Sequence, residues 1–266
     1  MPQFSPLQMQ RYARHFDLAG VGFKGQMKLR DAKVLVVGAG GLGSPALLYL
    51  AAAGVGTIGV ADGDTVDLSN LQRQVAHDTP SIGTPKTTSA AQRIRAINPD
   101  VNVIEHPLYL DASNIAGVIA GYDFILEGCD NFATKFLVND ACVLAQKPFS
   151  HAGMLRFEGQ TFTYVPGHRC YRCLFRAPPP PGSVPNCADA GILGMLPGVL
   201  GSIQATEAMK FLLGLGDLLT DRLLIFDALA MKFRELRGGR AADCPVCGDA
   251  PTITALRDED GGRCES

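Results

Sequence analysis

Four cysteines fall into two pairs, Cys170-Tyr-Arg-Cys173 and Cys244-Pro-Val-Cys247, on either side of a long apolar stretch. Two C-x-x-C pairs at this separation have the pattern of a zinc ribbon. Four thiolates would close a tetrahedral shell around Zn2+ and leave no position for water. Such a site is structural and would staple the middle of the chain to its C-terminal end. The alternatives are two unrelated pairs or a redox dithiol, but neither pair follows the thioredoxin-like βαβ pattern that a dithiol needs.

A second cluster is Gly38-Ala-Gly40-Gly-Leu-Gly43, with G-x-G-x-x-G spacing. The first glycine permits a tight turn, the second lets a phosphate approach the backbone, and the third lets a helix pack closely on a strand. Asp62 ends the following strand, where a carboxylate can accept hydrogen bonds from a ribose. Beyond it, Asp62-Gly-Asp64-Thr-Val-Asp67-Leu-Ser-Asn70-Leu-Gln-Arg73-Gln74 packs acids, amides and an arginine together, and Lys86 follows on the first turn of the next helix. An arginine and a lysine near a nucleotide suit a triphosphate better than a nicotinamide. Asp130, in Gly128-Cys129-Asp130-Asn131 at the carboxyl end of a later strand, is placed to hold Mg2+. Taken singly, a solvated Arg or Lys or a helix-capping Asp explains each of these residues, and a glycine-rich turn without a ligand explains the loop.

These residues need a strand-helix framework to hold them. Lys33-Val-Leu-Val-Val37 is expected as a buried parallel strand. Ser44-Pro45 is expected to open the next helix, with Ser44 as N-cap, and Gly54 to end it. Thr57–Ala61 is the next expected strand. A helix then runs from Thr84-Pro85 to about Ile97, a strand over 101–104, a helix over 111–120 and a strand over 122–126. They are followed by a helix over 132–146 and a strand over 148–151. This alternation predicts an α/β fold: a Rossmann-like, mostly parallel sheet with helices on both faces. Past Gln160 the pattern changes to an antiparallel extension, with strands over 161–165, 223–226 and 232–236 and a helix over 200–213. Ala177-Pro-Pro-Pro-Pro181-Gly is a loop. The expected division is an N-terminal helical segment (1–30, one or two helices), the main α/β unit with its four-cysteine zinc ribbon (31–248) and a loose tail (249–266).

The chain has 266 residues, 47% of them hydrophobic and 19% charged, with a formal net charge of -2. That balance fits a soluble globular protein and gives no bulk electrostatic grip on nucleic acid. No window is long and apolar enough for a membrane span. Met1-Pro-Gln-Phe-Ser-Pro6 lacks the basic segment and apolar core of a signal peptide. The expected location is the cytoplasm, where paired cysteines favour metal over disulfides.

Taken in order, these residues resemble the MoeB/ThiF/HesA family, the bacterial relatives of ubiquitin-activating enzymes. The matching stretches include Arg11-Tyr-Ala-Arg14, the glycine loop, Leu68-Ser-Asn-Leu-Gln-Arg-Gln74, Gly83-Thr-Pro-Lys86, Cys129-Asp-Asn131, Gly201-Ser-Ile-Gln-Ala-Thr-Glu-Ala-Met-Lys210 and both C-x-x-C pairs. The resemblance implies MgATP-dependent adenylation of the C-terminal glycine carboxylate of a small ubiquitin-like sulfur carrier ending in Gly-Gly, with release of pyrophosphate. It implies that Asp62 holds the ribose, that Gly41 lies close to the nucleotide, that Asn70, Arg73 and Lys86 face the phosphates and that Asp130 binds Mg2+. It also implies a homodimer in which Arg14 reaches the partner's ATP site. Molybdopterin and thiamine routes both use such activators. With only a short stretch after the second cysteine pair, the expectation is that the rhodanese unit of some relatives is lacking and that a separate sulfur donor serves, although the proline-rich loop resembles rhodanese-fused members.

Cys187, in Ser183-Val-Pro-Asn-Cys187-Ala-Asp-Ala-Gly191, falls in what resembles the family's mobile loop. It reads either as a nucleophile that meets the activated carrier or as a small loop residue. His15, His77, His106, His151 and His168 show no metal spacing and are given no catalytic role. No G-x-S-x-G frame is present. The competing function classes are a nicotinamide oxidoreductase and a carrier-binding module that has lost its chemistry.

Overall fold

The computed structural model describes residues 4–180 and 191–259. Eight strands form one sheet: β1 (Lys33–Val37), β2 (Thr57–Ala61), β3 (Asn102–His106), β4 (Phe124–Glu127), β5 (Phe149–Leu155), β6 (Glu158–Tyr164), β7 (Arg222–Asp227) and β8 (Lys232–Arg237). Their spatial order is β3-β2-β1-β4-β5-β6-β7-β8. The first five are parallel, and β6, β7 and β8 continue the sheet antiparallel. The described helices are α1 (Pro6–Arg11), α2 (Ala13–Phe16), α3 (Gly22–Asp31), α4 (Gly43–Ala53), α5 (Lys86–Ile97), α6 (Ile115–Ala120), α7 (Phe132–Leu144), α8 (Tyr171–Leu174) and α9 (Met195–Leu213).

The parallel strands are apolar on both faces, because helices cover both. In β1, Leu35 and Val37 point into one core with Ile115, Phe136 and Tyr171, from α6, α7 and α8. Val34 and Val36 point into the other, with Leu47, Leu50, Ile94 and Ala205 from α4, α5 and α9. This is the period-two alternation of a strand buried on both sides. β1 has β2 on one side and β4 on the other, and this reversal of strand order opens a crevice at the carboxyl ends, where open α/β sheets take ligands.

Two strands and one helix run longer than their local sequence signals. β5 extends to Leu155 instead of stopping near 151, because its last residues pair with β6 from Gly153↔Gln160 to Leu155↔Glu158. β6 accordingly starts at Glu158. α9 begins at Met195, five residues before the expected start, with Pro197 accommodated in its first turn, where no helical N–H is required. Ser44 is not the N-cap of α4. The helix starts at Gly43, Leu42 precedes it without any side-chain cap, and the buried Ser44 hydroxyl donates to Ala39 O. Gly54 ends that helix in the left-handed conformation, as expected (φ 81°).

The segment after Gly248 was expected to be loose. Through Glu259 it is bound to the body. Ile253 is buried in the core that holds the cysteines, Asp258 accepts the Ala112 N–H at 2.9 Å, and Glu259 pairs with Arg172. At the other end, α1, α2 and α3 make three helices where one or two were expected, and Leu29 of α3 is fully buried against Leu213.

Candidate nucleotide-binding site

A cavity of about 790 Å3 opens at the switch point and runs from the glycine loop across β5 to β8. Its size suits a nucleotide plus a further ligand. Of the sequence-predicted residues, Gly38, Gly40, Gly41, Asp62, Asp64, Arg73, Gln74, Lys86, Asp130 and Asn131 line it. Gly38 turns the chain at φ 89°, a conformation that disfavours side chains. A Cβ at Gly43 would overlap the carbonyl oxygen of Gly38, so this glycine sits inside the turn and shapes it without lining the cavity. His77 braces the loop from behind, with Nε2 2.9 Å from Ala39 O and Nδ1 2.9 Å from Ser89 Oγ. At the start of α4 the Ser44 N–H donates to Gly40 O at 2.9 Å and Pro45 has no N–H, so it is the uncapped Gly43 N–H that remains available to an anion.

Asp62 is tied into the loop. Its two carboxylate oxygens accept the N–H groups of Ala39 and Asp64, each at 2.8 Å. Burial pushes its pKa above the ordinary value, while Lys86 and these N–H groups pull it down. Each oxygen keeps a second lone pair for a ribose hydroxyl. Lys86 is buried and donates to Asp64 Oδ2 at 2.8 Å, and the Tyr109 hydroxyl donates to Asp64 Oδ1 at 2.6 Å. Burial opposes ionisation of Asp64, but the Lys86 and Tyr109 hydrogen bonds outweigh it and hold the carboxyl below its ordinary range. Arg73 is anchored by Nη1 to Ser69 O at 3.0 Å. Gln74 is buried, and its Oε1 has no hydrogen-bond partner among the described residues. Asp130 is exposed on the cavity wall, where a hard carboxylate oxygen suits Mg2+. Asn131 is the N-cap of α7 and accepts the Thr134 N–H at 2.8 Å.

Three expectations fall elsewhere. Asn70 is not a cavity-lining residue. Its Oδ1 accepts the Asp67 N–H at 3.3 Å and closes the turn over 68–70, so its amide holds the segment that carries Arg73. Arg14 is exposed on α2 and does not line this chain's cavity. Cys187 lies outside the described residues.

The cysteines do come together. Cys170, Cys173, Cys244 and Cys247 place their sulfurs within 4.8 Å of one another. Neighbouring Sγ–Sγ distances of 3.4, 3.6 and 3.9 Å approach the edge of a tetrahedron with metal–sulfur bonds of about 2.3 Å. They are far too long for disulfides. The Ala241 N–H points at Cys173 Sγ at 3.4 Å, as outer donors to a metal-bound thiolate do. The four residues fit a thiophilic tetrahedral ion, and without one the crowded thiols cannot all ionise. Tyr171 and Arg172 lie between the first pair. Tyr171 lines the cavity, and Arg172 is buried with Nε and Nη2 each 2.7 Å from Asp140.

Sequence reasoning missed the far half of the cavity. His151, Gly153 and Leu155 of β5, Glu158 and Gln160 of β6, Ile225 of β7 and Arg234 of β8 share its wall. Correct strand ends would have revealed this, because positions 151, 153 and 155 share one face of a strand. Gln204 of α9 holds β4 to β5 behind this wall, donating to Glu127 O at 2.8 Å and Ser150 O at 3.0 Å.

The family model described as the ThiF family matches residues 12–246. The chain belongs to the ThiF family. Among curated ThiF-type relatives, it is 50% identical to the "SAMP-activating enzyme E1" of Haloferax volcanii over 91% of this chain and 90% of that one. It is 48% identical to the "Sulfur carrier protein adenylyltransferase" of Thermus thermophilus over 94% and 95%. It is likewise 48% identical to "Adenylyltransferase and sulfurtransferase MOCS3" of Mus musculus, with 94% of this chain but 55% of that longer protein covered. Among solved structures, Escherichia coli MccB with ATP superposes with a TM-score of 0.77 at 26% identity, covering 89% of this chain and 74% of that one. Among the described residues of this ThiF-family chain, no helix is long and apolar enough to cross a membrane.

Proposed function

We propose that this chain adenylates the C-terminal glycine carboxylate of a small ubiquitin-like sulfur carrier, using MgATP and releasing pyrophosphate. The observation that carries this reading is the shape of the cavity. A single space joins a triphosphate cradle, made by the glycine loop, Arg73 and Lys86, to a sheet face three antiparallel strands wide. A buried lysine paired to an acid beside the loop suits the charge of a phosphate chain better than a nicotinamide. The names of the Haloferax and Thermus relatives point the same way.

A carboxylate is a poor acyl donor until one of its oxygens becomes part of a leaving group. In the proposed step, a carboxylate oxygen attacks the α-phosphorus of ATP, the bond to the β-phosphate breaks, and pyrophosphate leaves with the bonding electrons. Asp62 would orient the ribose, and the N–H groups of the glycine loop and of Gly43 would face the phosphates. Lys86 and Arg73 would neutralise charge that grows on the departing pyrophosphate. Mg2+, held at Asp130, would supply further charge neutralisation on the phosphates. Zn2+ at the four cysteines would be structural. The homodimer, with Arg14 serving the partner's site, and a separate sulfur donor belong to the same reading, as does a cytoplasmic location.

The test is exchange of labelled pyrophosphate into ATP in the presence of a ubiquitin-fold carrier ending in Gly-Gly. Exchange that depends on the carrier and on its free terminal carboxylate is the expected result. No exchange with any such carrier, together with binding of a nicotinamide dinucleotide, would assign the chain to the oxidoreductases.

A further inference from the structure

His151 carries an unused nitrogen where the nucleotide end of the cavity meets the antiparallel strands. Its Nδ1 lies 2.6 Å from Glu127 Oε2. Glu127 is fully buried and also accepts from Lys135 Nζ at 3.1 and 3.2 Å and from the Cys129 N–H at 2.7 Å. Burial works against its charge, but Lys135 and His151 overcome this and hold its pKa below the ordinary value. A carboxylate only accepts, so Nδ1 is the nitrogen that carries the proton. Burial, and after it the Lys135 charge, push the His151 pKa down, so the ring is neutral and Nε2 presents a lone pair. That Nε2 is buried and has no hydrogen-bond partner among the described residues, an arrangement that native structures rarely leave without a purpose. The ring itself is held by Tyr171 and Phe162, at centroid distances of 4.5 and 5.3 Å.

Nε2 itself is closed to solvent, but position 153 beside it carries no side chain. Gly153 follows on the same face of β5, and both residues line the cavity. A Cβ built on Gly153 would meet nothing nearer than His151 Nε2 at 3.6 Å and Gln160 Nε2 at 3.9 Å. Once the Gln160 side chain at the edge of this notch swings aside, a donor entering it comes within hydrogen-bond reach of Nε2. The nucleotide's anchors lie on the β1–β2 side, at the glycine loop, Asp62 and Lys86. The reactant lying over β5 is therefore the other one, an extended peptide end. Its recurring donor is the backbone N–H, and glycines at its tip carry no side chain to hold it off the notch.

We propose that His151 Nε2 accepts a hydrogen bond from a backbone N–H of the carrier's last two glycines, with position 153 kept small to admit it. This sets the terminal carboxylate against the α-phosphorus. It rests on the carrier-adenylation reading above.

The test uses the full chain and, as probe, a ubiquitin-fold carrier ending in Gly-Gly. The carrier is made by semisynthesis with glycine or N-methylglycine at each of the last two positions. His151→Phe keeps the ring packing and removes both nitrogens, and Gly153→Ala fills the notch while leaving His151 in place. Each should raise the carrier's KM about tenfold, the worth of one hydrogen bond, with the KM for ATP unchanged. His151→Gln, which can place an acceptor where Nε2 was, should recover most of the loss, whereas His151→Asn, which reaches only as far as Nδ1, should not. N-methylation of the contacted glycine should cost the wild type about tenfold and cost His151→Phe little more. The proposal is overturned if N-methylation at both positions costs the two enzymes the same factor. It is equally overturned if the ATP KM rises in step with the carrier's. Should the variants fail to fold, the N-methylated carriers still decide it, because a wild-type enzyme indifferent to both has no such contact. A wild-type enzyme that gives no exchange even with the unmodified carrier would instead remove the adenylation reading itself.

Discussion

Lys86 Nζ sits 2.8 Å from Asp64 Oδ2 at the nucleotide end of the cavity, with Tyr109 donating to the other oxygen of the same carboxylate. Lys86 is 6% exposed, so its charge is held ready in a poorly solvated place. Replacing it with methionine removes the cation proposed to face the phosphates and leaves Asp64 with one partner fewer. Pyrophosphate exchange by Lys86→Met should fall by about 10²–10³-fold. Unchanged exchange would remove Lys86 from the phosphate site.

The same pair gives a pH signature. The folded-state pKa of Asp64 is depressed below the ordinary value of 3.8. Its contribution to stability is therefore complete above that value and is lost as pH falls through the depressed folded value. Thermal melts of wild type and Asp64→Asn should differ by a constant amount at neutral pH and converge only in acid below 3.8. Convergence on the alkaline side would contradict the assignment.

Gly43→Ala drives a methyl group into the Gly38 carbonyl, which forms the turn itself. The expected cost is about 1–3 kcal/mol with loss of ATP binding, read by denaturant unfolding and calorimetry. Gly117→Ala, in α6 with nothing within 4 Å of its added carbon, serves as the contrast. It should stabilise the chain by about 0.5–1 kcal/mol.

Arg172 is 2% exposed, forks onto Asp140, pairs with Glu259 and lies 4.7 Å over the Phe136 ring. Arg172→Ala strands a buried carboxylate and should cost about 3–5 kcal/mol. Arg172→Met combined with Asp140→Asn should recover much of that loss, because it removes both charges together. A single variant no worse than the double would show that the pair is not the source of the effect.

Metal analysis of the purified chain should find zinc, and Cys247→Ser should lose it. Chelation should lower the melting temperature sharply, since closed thiolate sites are worth on the order of 10 kcal/mol in apparent free energy.

The parallel half of the fold is readable from the sequence. The strands over 33–37 and 57–61 fall where expected because valine-rich runs and glycine punctuation are local signals. That Gly38, Asp62 and Lys86 share one cavity is readable for the same reason, since each sits at a fixed offset from a strand or helix end. β5 reads too short because its last residues are strand only through their pairing with β6, which no local window contains. That one error hides His151, which looks like any core histidine until Gly153 is seen beside it. Ser44-Pro45 carries a helix-start pattern but lies one residue inside the helix, because the turn at Gly38 takes priority. The segment near Glu259 looks free because its partner, Arg172, is 87 residues away.

The short turn over Cys170–Cys173 faces three ways. It offers two sulfurs to a cation, sends Arg172 into the core and lays Tyr171 against the His151 ring. An ion that touches no reactant would thus shape the wall along which they meet. If that ion is what keeps the turn in place, starving the protein of metal would first blunt its grip on the incoming polypeptide and only afterwards its hold on fuel.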